Sequence, residues 1–181
     1  MDQISFDRII QRSKEIATFN TRTYAEVARD PRALAEAAII VAAVAISAGI
    51  GAVNYGAGGL VGGIILSLLG WIVSAAIIYF VGTRITGTPT TSGTVESLLR
   101  TLGYASVPNI FSFLGFIWFF GWLVLFVLGI WTLITTVLAI RAALGMSLQR
   151  AVVTGFVAWI VAIIVRALLG ALFGIDLYFT F

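Results

Sequence analysis

Thr101–Ile140, TLGYASVPNIFSFLGFIWFFGWLVLFVLGIWTLITTVLAI, runs for 40 residues without a charged side chain. As one helix it would measure about 60 Å, roughly twice the hydrocarbon thickness of a bilayer. The run must fold back on itself, and the expectation is a third span over 102–118, weakened or kinked at Pro108, a reversal at Phe119-Phe120-Gly121, and a fourth span over 122–142.

Working outward, the neighbouring apolar runs give a first span over 37–53, a second over 60–83 that ends at Arg84, and a fifth over 148–173. Asn54-Tyr55-Gly56 and Thr86–Gly93, the latter interrupted by Pro89, break the runs as turn-prone segments. The fold expected is all-α, a polytopic bundle of five transmembrane helices in residues 35–181, preceded by a polar segment over 1–34. Composition agrees: 60% of the 181 residues are hydrophobic and 10% charged, against about 45–50% and about 25% in soluble domains.

Charge placement tests the count. Arg84 and Arg100 fall in one loop region, and Arg141 and Arg150 in another. With a cytoplasmic N-terminus, five crossings leave ten of the eleven basic residues inside, as the bias of Lys and Arg toward cytoplasmic loops requires. Four crossings would turn Arg141 and Arg150 outward. Residues 1–34 lack the apolar stretch of a secretion signal, so the expected location is the inner (plasma) membrane, with the N-terminus cytoplasmic and the C-terminus outside.

The first 36 residues balance six basic against six acidic side chains, which leaves no basic patch for nucleic acid. Phe6, Ile9, Ile10, Ile16 and Ala17 share one face of a short helix. Such a helix either lies on the membrane surface or packs on another part of the chain. Thr23 and Glu26 have capping-box spacing for a second short helix through Arg29, and Asp30 caps a third with Pro31 in its first turn. The chain has neither Cys nor His, so thiolate nucleophiles, sulfur-ligated metals and the commonest general base are excluded, and no catalytic residue, cofactor or metal is expected.

Gly58 with Gly62, Gly59 with Gly63, and Gly170 with Gly174 have the small-xxx-small spacing that lets helix backbones touch in lipid. Gly70 and Gly82 are suited to packing within the chain. Arg166 is the one charge well inside a predicted span, and its long side chain reaches the outer headgroups by snorkelling. Trp118 and Trp122 flank the proposed outer reversal as interfacial aromatics. Arg84, Glu96, Arg100, Arg141 and Arg150 mark the cytoplasmic face and a surface for partners, with Glu96 and Arg100 spaced i, i+4.

Several ordered motifs carry a resemblance: Thr23-Tyr24-Ala25-Glu26-Val27-Ala28-Arg29-Asp30-Pro31 before the first span, Gly82-Thr83-Arg84 closing the second, Leu99–Ala105 with Gly103, Tyr104 and then Pro108, and Leu144–Ala151 with Ser147 and Arg150. Over about residues 20–170 the chain resembles the Yip family, the Ypt/Rab-interacting membrane proteins, and in particular its bacterial branch. The resemblance implies a five-helix membrane domain with a cytoplasmic N-terminus, in a family whose eukaryotic members bind Rab-type GTPases. The acidic Asp-Leu-Tyr-Gly-Pro motif of those members is absent here, and Gly103-Tyr104-Ala105 matches their Gly-Tyr-Gly only in part, which argues against a Rab-type partner. The expected function is non-enzymatic: helix packing, membrane organisation and recruitment of partners, these being lipids, other membrane proteins or further copies of the chain. The alternatives are a small-molecule or ion transporter centred on Arg166, or an accessory subunit of a larger membrane complex.

Overall fold

The computed structural model describes residues 5–51, 56–116 and 121–173. They form helices joined by turns and one longer loop, with no strand among the described residues. The polar segment gives α1 (Phe6–Ala17) and α2 (Thr21–Arg29), followed by α3 (Ala33–Gly51) and α4 (Gly56–Phe80), which passes into a π turn at Val81–Ile85. After the threonine-rich loop come α5 (Val95–Ala105), a 3-10 helix (Val107–Phe116), α6 (Gly121–Leu144) and α7 (Leu148–Phe173).

Local chemistry sets these boundaries. The Asp30 side chain accepts from Arg32 N at 3.0 Å, capping the start of α3 as its sequence position suggests. Helix α2 begins earlier than the Thr23–Glu26 spacing implied, because Asn20 caps it through Arg22 N at 3.2 Å. The Thr23 hydroxyl is directed elsewhere and donates to Glu15 Oε2 at 2.5 Å. At α5, Thr94 and Ser97 form a reciprocal capping box.

Among the described residues three helices are long and apolar enough to cross a membrane: Val61–Ile85, Gly121–Leu144 and Leu148–Val165. A fourth is added if Thr21–Arg29 and Ala33–Gly49, which meet at a 115° bend, count as one broken span. Residues 102–116 do not form one continuous α-helix: the expected third span is interrupted next to Pro108, where the sequence predicts a weakening or kink, and residues 117 and 118 lie outside the described residues. Helix α5 stops at Ala105 and the chain continues as 3-10 helix, since Pro108 has no N–H to offer the carbonyl of Tyr104 and its ring opposes an α turn. Side chains take up the carbonyls freed at the break: Ser106 Oγ donates to Gly103 O at 2.7 Å and Thr135 Oγ1 to Ala105 O at 2.8 Å. The proposed reversal at Phe119-Phe120-Gly121 lies outside the described residues except for Gly121, which opens α6.

Even broken, residues 95–116 keep one course. Ser97 meets Ala143, Ala105 meets Thr135 and Asn109 meets Thr132, so the segment runs antiparallel to α6. It runs parallel to α3, with Gly103 against Ala37 and Ile110 accepting from Ser47 Oγ at 2.5 Å. The core centres on α3, α5 and the inner parts of α4 and α6, and takes in Ile9 and Ile16 of α1, Tyr24 and Val27 of α2, and Ala151 and Ala158 of α7. The outer surfaces of α4, α6 and α7 remain lined with exposed Ile, Leu, Val, Phe and Trp, the surface a membrane helix presents to lipid.

Candidate functional site

Glu36 enters α3 one residue before the uncharged run, and its side chain is only 1% exposed. A carboxylate there is sustained only by partners, and three side chains supply them. Arg8 brings both Nε, at 2.7 Å, and Nη2, at 2.6 Å, to Oε1. Arg12 Nη1 approaches Oε2 at 3.1 Å, and the Tyr104 hydroxyl donates to the same oxygen at 2.5 Å. Arg12 also reaches Asp30 Oδ2 with Nη2 at 2.8 Å. Two guanidiniums thus face two carboxylates, and the neutral cluster clasps α1 to the start of α3 and to α5.

Arg12 and Asp30 show the coupling in their protonation. Burial pulls against both charged forms, but their mutual hydrogen bond prevails: Asp30 is held below the ordinary carboxylate range, helped by the Arg32 backbone N–H and the Arg12 and Arg32 charges, and Arg12 is raised. Tyr24, fully buried on α2, is driven well above the ordinary phenol range by desolvation, and its hydroxyl donates to Ile16 O at 3.0 Å.

Arg100 is buried on α5. It donates to Ala28 O at 3.2 Å and to Glu96 Oε2 at 2.9 Å, so the expected i, i+4 pair forms and α2 is fastened to α5. The Ser92 N–H reaches Leu144 O at 3.4 Å, bringing the loop after the π turn against the α6–α7 turn. Arg84, Arg141 and Arg150 are exposed at this same end, and Ser147 opens α7 beside them. Two open depressions flank α2: one of about 560 Å³ is lined by Arg12, Arg22, Arg29, Glu26 and Asp30, the other of about 330 Å³ by Tyr24, Leu138, Arg141 and Met146. Among the described residues no three His, Cys, Asp or Glu side chains come together as a metal site.

Gly103 and Tyr104 act as a unit. A Cβ at Gly103 would lie 2.5 Å from the Ala37 Cβ, so only glycine lets α5 come close enough for Tyr104 to reach Glu36. Pro108 lies buried in the 3-10 helix. Gly82 packs against Leu144, whereas among the described residues nothing lies within 4 Å of a Cβ added at Gly62 or Gly63. Gly58 and Gly59 lie in the first turn of α4 and Gly170 near the end of α7. Gly174 and the Arg166 side chain fall outside what is described.

The clasp itself was not singled out from the sequence. Arg8, Arg12, Asp30 and Glu36 entered as a balanced polar segment, and the available signal was Glu36 standing immediately before a stretch, 37–83, that carries no charged side chain. Neither a curated protein nor a solved structure matches the chain. The family model for the Yip1 domain matches residues 14–169, most of the chain. The protein is therefore a multi-helix membrane member of the Yip1-domain family, as its motifs indicated.

Proposed function

We propose that the chain is a non-enzymatic membrane protein that recruits a protein partner to the charged end of its bundle. The observation that carries this reading is the position of α2, which stands between two open depressions with Arg22, Arg29 and Arg141 exposed around it. The buried contacts of Arg12, Tyr24 and Arg100 hold α2 fixed. A surface kept rigid by the fold loses little entropy when a partner binds.

In this reading residues 1–34 form a cap on a membrane domain over 35–181, and the charged end faces the cytoplasm. The chain crosses five times, the third crossing being the broken α5 and 3-10 segment. Its antiparallel course beside α6 and parallel course beside α3 support that count, as does the gathering of Arg84, Arg100, Arg141 and Arg150 at one end. The bacterial branch is favoured by the missing acidic motif, which also weighs against a Rab-type GTPase. The transporter alternative gains little support, because Ser47, Asn109, Thr132 and Thr135 are engaged in contacts between helices.

The test is site-specific crosslinking in native membranes from Arg22 and Arg141. One protein captured from both positions, and lost when Glu36→Ala releases the cap, supports recruitment. Absence of a common product, together with substrate flux in proteoliposomes, overturns it in favour of transport.

A further inference from the structure

The side chains of α1 divide into three faces where a surface helix needs two. Ile9 and Ile16 are buried, and Arg8 and Arg12 turn inward to Glu36. Gln11 and Lys14 lie away from that cluster. Between these faces Phe6 and Ile10, one turn apart, are left 68% and 52% exposed. Ala17 falls on this same flank by helical spacing.

That flank is joined to the membrane-spanning surface. The Trp131 indole donates to Ala17 O at 2.8 Å. Trp131 stands ten residues before Arg141 on α6, about 15 Å of helix below that charge. Its helical neighbours Val127, Ile130 and Ile134 are exposed apolar side chains on a helix apolar enough to span the bilayer. Phe19, at a left-handed φ of 64° in the turn after α1, is also exposed. The apolar edge of α1 is therefore continuous with surface that lipid covers.

We propose that α1 lies in the membrane interface with Phe6, Ile10 and Phe19 inserted at the boundary of headgroups and acyl chains. Interfacial helices ordinarily combine apolar burial with attraction of basic residues to anionic lipid. Here the clasp takes both arginines away from the surface, and the remaining charges of α1, on Asp7, Lys14 and Glu15, sum to −1, so the helix offers anionic lipid no net attraction. The attachment is apolar and needs no anionic lipid.

The chain has no native Cys, so Phe6→Cys, Ile10→Cys and Gln11→Cys can each carry an environment-sensitive fluorophore in the full-length protein. The labelled chains are reconstituted in phosphatidylcholine vesicles with and without phosphatidylglycerol. Brominated lipid should quench positions 6 and 10 severalfold more than position 11, and aqueous iodide should do the reverse, unchanged by phosphatidylglycerol or by high salt. Iodide reaching all three positions equally overturns the proposal. So does shielding of positions 6 and 10 from both quenchers, which would mean that protein covers the flank, and so does dependence on phosphatidylglycerol.

Discussion

Tyr104 on α5 donates its hydroxyl to Glu36 on α3, 68 positions away in sequence, and both side chains are fully buried. Removing the carboxylate by Glu36→Ala strands the Arg8 guanidinium and leaves Arg12 with Asp30 alone, and breaking a buried ion pair from one side costs about 3–5 kcal/mol. Tyr104→Phe removes one hydrogen bond to a charged acceptor, worth about 1.5–3 kcal/mol. Glu96→Ala removes a carboxylate that is 68% exposed while Arg100 keeps its bond to Ala28 O, and should cost the least of the three. Unfolding midpoints in detergent should rank the variants in that order; equal midpoints for Glu36→Ala and Glu96→Ala would remove the clasp as a stabilising feature.

Glycines on α5 and α4 should respond differently to the same change. Gly103→Ala forces a methyl against Ala37, and such overpacking costs about 1–3 kcal/mol. Adding Ala37→Gly should recover part of that loss, a coupling measurable as a double-mutant cycle. A Cβ added at Gly62 meets nothing within 4 Å among the described residues, so the monomer midpoint should not fall for Gly62→Ala or Gly62→Leu. A change confined to oligomeric state for Gly62→Leu would instead place a second molecule on that face.

The apolar runs were legible because a bilayer imposes length and polarity on every crossing, so α4, α6 and α7 fall close to their expected limits. The 3-10 form of residues 107–116 was not. In an all-apolar run, periods of 3.0 and 3.6 leave the same pattern, and Pro108 marks a break without fixing the helical form beyond it. The stripe on α1 gave a helix and a face, but periodicity carries no information on what the face meets. Arg8 and Arg12 therefore entered only as members of a charge-balanced segment, although both turn to a carboxylate more than 20 positions on. Gly103-Tyr104 was noted as a family motif, and its physical role became visible only once Ala37 and Glu36 stood beside it.

Acid should loosen the cap in a defined window. Asp30 is held below its ordinary value of 3.8 in the folded chain, so its stabilising contribution is complete above that value and is lost as pH falls through the lowered one. Between pH 7 and 5 this group contributes no change. A fluorophore on Lys14→Cys should keep its anisotropy through that range and lose it below about pH 4, the ordinary carboxylate region. In Asp30→Asn the Asp30 component of the acid transition should be missing. Identical profiles for the two proteins would show that Asp30 does not govern the cap.

Ser92 and Leu144 are joined by a backbone hydrogen bond, which places the loop after the π turn and the turn before α7 on one side of the membrane in any orientation. Gly145 is a poor reporter position because its φ of 64° favours glycine, whereas Ser92 and Ser147 are exposed and accept Cys without strain. Five crossings with a cytoplasmic N-terminus require both Ser92→Cys and Ser147→Cys to resist an impermeant thiol reagent in intact cells and to react once the membrane is opened. An odd number of crossings between Lys14 and each of these two positions would leave them together but put them on the opposite side from Lys14→Cys. Labelling all three in one set of cells therefore separates the joint placement of the two loops from the number of crossings before them. Reaction of Ser147→Cys from outside while Ser92→Cys stays protected would contradict the hydrogen-bonded pairing itself.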